Sequence, residues 1–206
     1  VRIIRYHAEK CSVDPDKIVV CGFSAGAHLC ASLCVHYPDI SDPDPKYAPI
    51  SARPDAAVLG YPVITSGEYA HRDSFTALLG ADAGEKELEY MSLEKHVTDD
   101  MPPCFLWQTA SDDSVPVENS YLFAMACRKA GVPFAHHVFS EGIHGMSVAT
   151  EEWLEGCYGT PYTLEQIDRL TEAIEQGATP YPSEKAEEIR TAFSGKRDGG
   201  KKWVPE

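Results

Sequence analysis

Apolar positions along this chain come in short bursts separated by polar stretches, and the bursts alternate between two periods. Lys17-Ile18-Val19-Val20-Cys21 is a β-branched run of strand length, and Ala56-Ala57-Val58-Leu59-Gly60, Cys104-Phe105-Leu106-Trp107-Gln108 and Phe134 to Phe139 repeat the pattern. Between and around them lie helical patterns. Residues 1–11 read as a helix that stops before Ser12-Val13-Asp14-Pro15. Residues 25–37 carry Ala25, Ala27, Leu29, Cys30, Ala31, Leu33, Cys34 and Val35, apolar on nearly every side, as in a helix enclosed by a sheet and its neighbours. Residues 117–130 are amphipathic, with Arg128-Lys129 in the last turn and Gly131 as the stop.

The segments joining them are informative too. Residues 38–54 are rich in Pro and Asp and read as a loop; 66–100 is polar and broken, with helical patches at 72–79 and 84–91. Strand, helix, strand, long excursion, strand, helix, strand predicts a mainly parallel sheet covered on both faces, a three-layer α/β/α sandwich. Beyond the fourth strand, Thr163-Leu164-Glu165-Gln166 fits a capping box, with Leu164, Ile167, Leu170 and Ile174 on one face up to Gly177. A further helix is expected over 183–193. The expectation is one domain over 1–206, with a helical insertion or cap at about 150–195.

Composition narrows the function. With 206 residues, 43% of them hydrophobic, the chain can bury a core, and a formal charge of −14 argues against a nucleic-acid partner. Its one basic cluster, Lys196-Arg197 with Lys201-Lys202, reads as a solvated tail. Seven cysteines scattered through apolar segments read as reduced, buried thiols, which favours the cytoplasm. Cys30 and Cys34 have helical metal-pair spacing, but no second pair follows, so no metal is expected. No run of eighteen apolar residues is present to span a membrane. Val1-Arg2-Ile3-Ile4-Arg5-Tyr6 already reads as mid-helix, so the true start is expected upstream.

The chemistry concentrates on Cys21-Gly22-Phe23-Ser24-Ala25-Gly26-Ala27-His28, which lies between the first strand and the helix after it. A serine on such a strained turn exposes its hydroxyl above the sheet, with the Ala25 amide facing the space where an oxyanion would form. Gly22 and Gly26 are read as letting the turn close. The hydroxyl needs a base and a group to orient that base, and on this topology both are expected later, past strand ends. Asp112 and Asp113 follow the third strand; Asp112, closer to the strand and in a D-x-x-V-P context, is favoured. His144, flanked by glycines in Glu141-Gly142-Ile143-His144-Gly145, stands just past the fourth strand. His136 and His137 lie inside that strand and point to opposite faces, short of its end. His28 reads as a packed, hydrogen-bonded helix residue.

GFSAGAHL, TASDDSVPVENS and HHVFSEGIHG together resemble the α/β-hydrolase superfamily, in its acetyl esterase and acetylxylan or feruloyl esterase-like branch, over most of residues 1–148. The resemblance implies Ser24 as nucleophile, His144 as general base then acid, Asp112 as orienting carboxylate, and ester hydrolysis without a cofactor. Tyr61-Pro62-Val63 matches the branch as well, which implies that it lines the pocket edge, with Phe23 a further pocket residue. An HGGG-type loop and strands expected ahead of Ser24 are not in this sequence, so the second oxyanion donor is expected upstream of Val1. Lys202 to Glu206 resembles the approach to the family's closing helix. On this reading residues 17–21 form an unguarded apolar edge, and the chain as written is expected to be aggregation-prone and nearly inactive.

The substrate expected is a small-molecule or oligosaccharide ester of a short acyl group. Its acyl and alcohol parts, and the oligomeric state, are not given by the sequence. Two other readings share the residues: a serine peptidase of the prolyl-oligopeptidase type, and a non-catalytic hydrolase domain used as a binding surface.

Overall fold

In the computed structural model the chain divides into two compact units, Val1–Ser147 and Val148–Glu206; residues 1–147, 164–179 and 181–192 are described below. The first unit holds four parallel strands, β1 (Val19–Phe23), β2 (Ala56–Gly60), β3 (Cys104–Thr109) and β4 (Phe134–Phe139), adjacent in chain order. Its helices are α1 (Arg2–Tyr6), α2 (Ala8–Cys11), α3 (Ala25–His36), α4 (Arg72–Leu79), α5 (Glu85–Tyr90) and α6 (Glu118–Ala130). The second unit holds α7 (Leu164–Glu175) and α8 (Glu184–Ala192).

β2 and β4 have the bounds the apolar pattern predicts, whereas β1 begins two residues later than expected. The cause is Asp55. Its carboxylate accepts the Ile18 N–H at 2.7 Å and the Arg5 guanidinium at 2.7 Å, while its own N–H donates to the Ile18 carbonyl at 2.8 Å. Ile18 is thereby held outside the ladder, and the strand runs on so that Gly22 and Phe23 pair with Leu59 and Gly60.

Helices α3 and α6 cover one face of the sheet. Ala27, Ala31 and Cys34 of α3 and Phe123 and Cys127 of α6 close over Ala57, Leu59, Cys104 and Leu106, the alternate positions of β2 and β3. On the opposite face Val19, Phe23, Phe105 and Phe139 are exposed. Alternation also separates the cysteines: Cys34, Cys104 and Cys127 are buried, but Cys21 points to the open face and is exposed, as is Cys11. The expectation of uniformly buried thiols is corrected to that extent. Cys34 behaves as a core residue, with burial pushing its thiol up to about 12.

Two helix faces differ from the pattern. Leu29 of α3, expected to be enclosed, is 71% exposed. In α7, Ile167 and Ile174 are buried but Leu170 is exposed; Thr171 takes the inward place by donating its hydroxyl to the carbonyls of Ile167 and Asp168, both at 3.0 Å. The capping residue Thr163, the basic cluster 196–202 and the segment 202–206 lie outside the described residues. No helix among the described residues is long and apolar enough to cross a membrane.

Candidate active site

All four strands run the same way, so their carboxyl ends lie along one edge of the sheet, and the candidate residues gather there. Ser24 sits between β1 and α3 with φ 53° and ψ −122°, a conformation that L-residues rarely adopt. The surroundings hold it there. Its N–H donates to the Gly60 carbonyl at 3.0 Å, and its carbonyl accepts from the N–H groups of Ala27, His28 and Val63 at 3.0, 3.2 and 3.3 Å. Gly22 allows the tight return, because a Cβ there would stand 2.2 Å from the Gly26 carbonyl oxygen. Gly26 plays no matching part: a Cβ on it would meet nothing within 4 Å among the described residues. Ala25 opens the twelve-residue helix α3, where the first backbone N–H groups have no acceptor within the helix and the dipole is positive.

His144 reaches Ser24 across 120 positions of sequence, its Nε2 2.8 Å from the serine Oγ. Its Nδ1 lies 2.9 Å from Asp112 Oδ2 and 3.1 Å from Oδ1. A proton on Nδ1 donated to the carboxylate leaves Nε2 as acceptor for the serine hydroxyl. The Asp112 side chain is 0% exposed and that of His144 20% exposed. Burial by itself raises the Asp112 pKa. The hydrogen bond from His144 and those from the backbone N–H groups of Val115 and Ser114 outweigh it and hold the carboxyl below its usual range.

The loops carrying Asp112 and His144 are clasped together. Gly142 accepts from Thr109 Oγ1 at 2.8 Å and from Ser111 Oγ at 3.1 Å, and returns its N–H to Ser111 Oγ at 2.9 Å. Its φ of 147° and the 2.7 Å from its Cβ position to Thr109 Cγ2 admit glycine alone without strain. Asp113, set aside in the sequence as the lesser candidate, does not touch the imidazole. Its Oδ1 accepts the His144 backbone N–H at 3.2 Å.

His28, His136 and His137 are placed as the sequence suggests. His28 bonds through Nε2 to the Met91 carbonyl at 3.1 Å and meets the Phe75 ring edge-on; burial lowers its pKa. His136 bonds to Ser120 Oγ at 3.1 Å and His137 lies against Phe105, both along β4.

Tyr61, Pro62 and Val63, with Phe23, are the residues expected at the pocket edge. Tyr61 is buried behind His144, at φ 36°, with its ring edge-on to that imidazole at 4.8 Å and to Trp107 at 5.1 Å, and its hydroxyl 2.5 Å from Ser147 Oγ. Phe23 packs beside it at 5.8 Å, and Pro62 is buried. A cavity of about 190 Å³ opens beside Ala25 and is walled by Leu29, Val63, Phe75, Leu78 and Met91; neither Phe23, Tyr61 nor Pro62 lines it. The sequence reading also passed over Gln108, whose amide donates to Asp112 Oδ2 at 3.2 Å. An amide at an inward position of an apolar strand, four residues before the carboxylate, was the available signal.

Residues 1–126 match the BD-FAE family. The chain belongs to that family. The BD-FAE chain is 53% identical over 174 residues to the endo-1,4-beta-xylanase B of Butyrivibrio fibrisolvens, covering 84% of this chain and 27% of that protein. It is 26% identical over 203 residues to the acetylxylan esterase of Xylanibacter ruminicola, covering 94% of this chain and 37% of that protein. Among solved structures, the acetyl ester-xyloside bifunctional hydrolase of Caldicellulosiruptor lactoaceticus superposes with a TM-score of 0.68 at 44% identity, covering 76% of this chain and 60% of that one. The chain thus spans between about a quarter and three fifths of the length of these relatives. Its sheet and helices are those of an α/β-hydrolase.

Proposed function

We propose that this BD-FAE protein is a serine carboxylesterase that hydrolyses short, acetyl-type esters of carbohydrates. The observation that carries the reading is the continuous hydrogen-bond chain from Ser24 Oγ through His144 to Asp112, at 2.8 and 2.9 Å, on a left-handed turn at a helix N-terminus.

In this reading Ser24 Oγ attacks the acyl carbonyl carbon while His144 Nε2 takes its proton, and Asp112 stabilises the imidazolium so formed. The carbonyl π pair moves onto oxygen, which lies against the Ala25 N–H. Collapse expels the alcohol, protonated by His144, and leaves Ser24 acylated. Water, deprotonated by the same Nε2, then releases the acid and restores the hydroxyl. A cavity of about 190 Å³ with apolar walls beside Ala25 suits a short acyl group, being smaller than the roughly 300–1,000 Å³ of sites for drug-sized ligands. The names of the xylanase, acetylxylan esterase and acetyl ester-xyloside hydrolase relatives support the carbohydrate part.

The test uses the full-length natural protein. It is expected to release acetate from acetylated xylo-oligosaccharides, to hydrolyse p-nitrophenyl acetate but not a proline-linked amide, and to take a fluorophosphonate label on Ser24. Ser24→Ala should lower turnover by on the order of 10⁴ or more while leaving the fold intact. Retention of more than about one per cent of activity would sink the assignment, since a lost triad member costs orders of magnitude.

A further inference from the structure

We propose that Gln108 is a positioning residue for this chemistry, fixing the Asp112 carboxylate beneath His144 through its side-chain amide; the proposal rests on the esterase reading above. Cys104, Leu106 and Gln108 occupy alternate positions of β3, and the first two belong to the apolar core. Gln108, next in that row, is fully buried.

Its Nε2 donates twice, to Asp112 Oδ2 at 3.2 Å and to the Val115 carbonyl at 2.7 Å, while its Oε1 is buried with no hydrogen-bond partner among the described residues. The amide orientation is forced. Turned over, its oxygen would face two acceptors, the Asp112 carboxylate and the Val115 carbonyl. A buried carbonyl oxygen left unpartnered works against stability, and an apolar side chain of the same length would avoid it. What the amide alone supplies is a donor to Oδ2, the carboxylate oxygen nearer to His144 Nδ1. Oδ1 is already held by the N–H groups of Ser114 and Val115 at 3.0 and 2.9 Å. With Gln108 both oxygens are anchored, so the carboxylate cannot swivel away from the imidazole. Val115 closes the ring, donating to Oδ1 through its N–H and accepting from Gln108 through its carbonyl.

The donor also has an electrostatic effect. A hydrogen bond to Oδ2 takes up part of the carboxylate charge, and removing it concentrates that charge on the oxygen facing His144, which favours the imidazolium.

The experiment compares wild type, Gln108→Met and Gln108→Leu in the full-length protein, each alone and combined with Asp112→Asn. The readouts are p-nitrophenyl acetate kinetics and the rate of fluorophosphonate labelling across pH 5 to 9. Gln108→Met is expected to fold, to lower kcat roughly tenfold with KM little changed, as for one lost hydrogen bond to a charged group, and to move the acid limb of both profiles up by about half a pH unit. In the Asp112→Asn background the same substitution should change the residual rate less than about twofold, because the group it acts through is gone. An unmoved acid limb, or equal losses in the two backgrounds, would overturn the proposal. So would failure of both apolar variants to fold, since it would make Gln108 a structural requirement. If wild type itself neither hydrolyses the ester nor takes the label, it is the esterase reading that fails.

Discussion

Replacing Asp112 by asparagine changes one carboxylate oxygen into an NH₂ group, and the hydrogen bonds already in place decide which one. With the amide oxygen kept at the Oδ1 position, the bonds from Ser114 and Val115 survive, and the NH₂ faces His144 Nδ1 and, donor against donor, the Gln108 amide. The imidazole must then move its proton to Nε2, where it donates to Ser24 and cannot act as a base. The productive tautomer needs the opposite amide orientation, which sets the NH₂ against the two backbone N–H groups and leaves both unpaired. Ser114 is exposed, so water takes its N–H; the Val115 N–H is buried and costs about 1–3 kcal/mol, less what the Gln108 bond to the Oδ2 position returns. At about 1.4 kcal/mol per decade this alone predicts a loss of up to roughly 100-fold in kcat. The loss of the charge that stabilises the imidazolium adds to this and carries the result toward the 10⁴ seen when a triad aspartate is amidated. Turnover of p-nitrophenyl acetate by the full-length protein measures it, with circular dichroism to confirm the fold. Asp113→Asn, which keeps an acceptor for the His144 N–H, should stay within a few-fold of wild type. A loss smaller than about 30-fold for Asp112→Asn, or a larger one at Asp113, would refute the reasoning.

Two further outcomes follow from the same geometry. Gly22→Ala places a Cβ 2.2 Å from the Gly26 carbonyl, backbone against backbone, and should cost at least about 2 kcal/mol in urea unfolding, in the upper range for overpacking; a change within about 0.5 kcal/mol would mean the turn relaxes at no cost. His28, His36 and His136 have pKa values lowered chiefly by burial, so just below their ordinary 6.5 the unfolded chain binds more protons than the folded one. Stability should therefore rise with pH through that window and fall on acidification from pH 7.5 to 5.5, whereas Asp112, shifted down, has its contribution in place until far lower pH; a melting temperature that stays level or rises over that interval would contradict this.

Periodicity made most of the elements legible but said less about what lies against them. The four strands and the helices α3 and α6 could be placed because apolar runs of strand length and amphipathic runs of helix length differ in period. Asp55 delayed β1 through a hydrogen bond to Ile18 from 37 residues away, which no local pattern records. Leu29 and Leu170 look inward on a helical wheel, yet neither is covered. At the site, Ser24, Asp112 and His144 could be proposed from their places after successive strands. The Asp113 and Tyr61 contacts could not, because each depends on how two loops meet: Gly142 clasped to Ser111, and the Tyr61 ring turned under His144 by a left-handed backbone.

The spacing of the site residues past their strands has a geometric reason. Ser24 and Tyr61 each stand one residue beyond β1 and β2, Asp112 three beyond β3 and His144 five beyond β4. Neighbouring strands lie about 4.8 Å apart, so β4 is roughly 14 Å from β1 and His144 must reach back across the sheet top to meet Ser24. The in-register parallel ladder sets Phe23 level with Gly60, Trp107 and His137, so the strands offer a common starting line and the loop lengths alone govern reach. A histidine inside β4, such as His137, stands on that line yet has no loop to carry it over. His144 has one, and Tyr61 and Gly142 hold its far end in place. Adjacency in the sheet supplies the order of the residues, and the growing loops supply their convergence on Ser24.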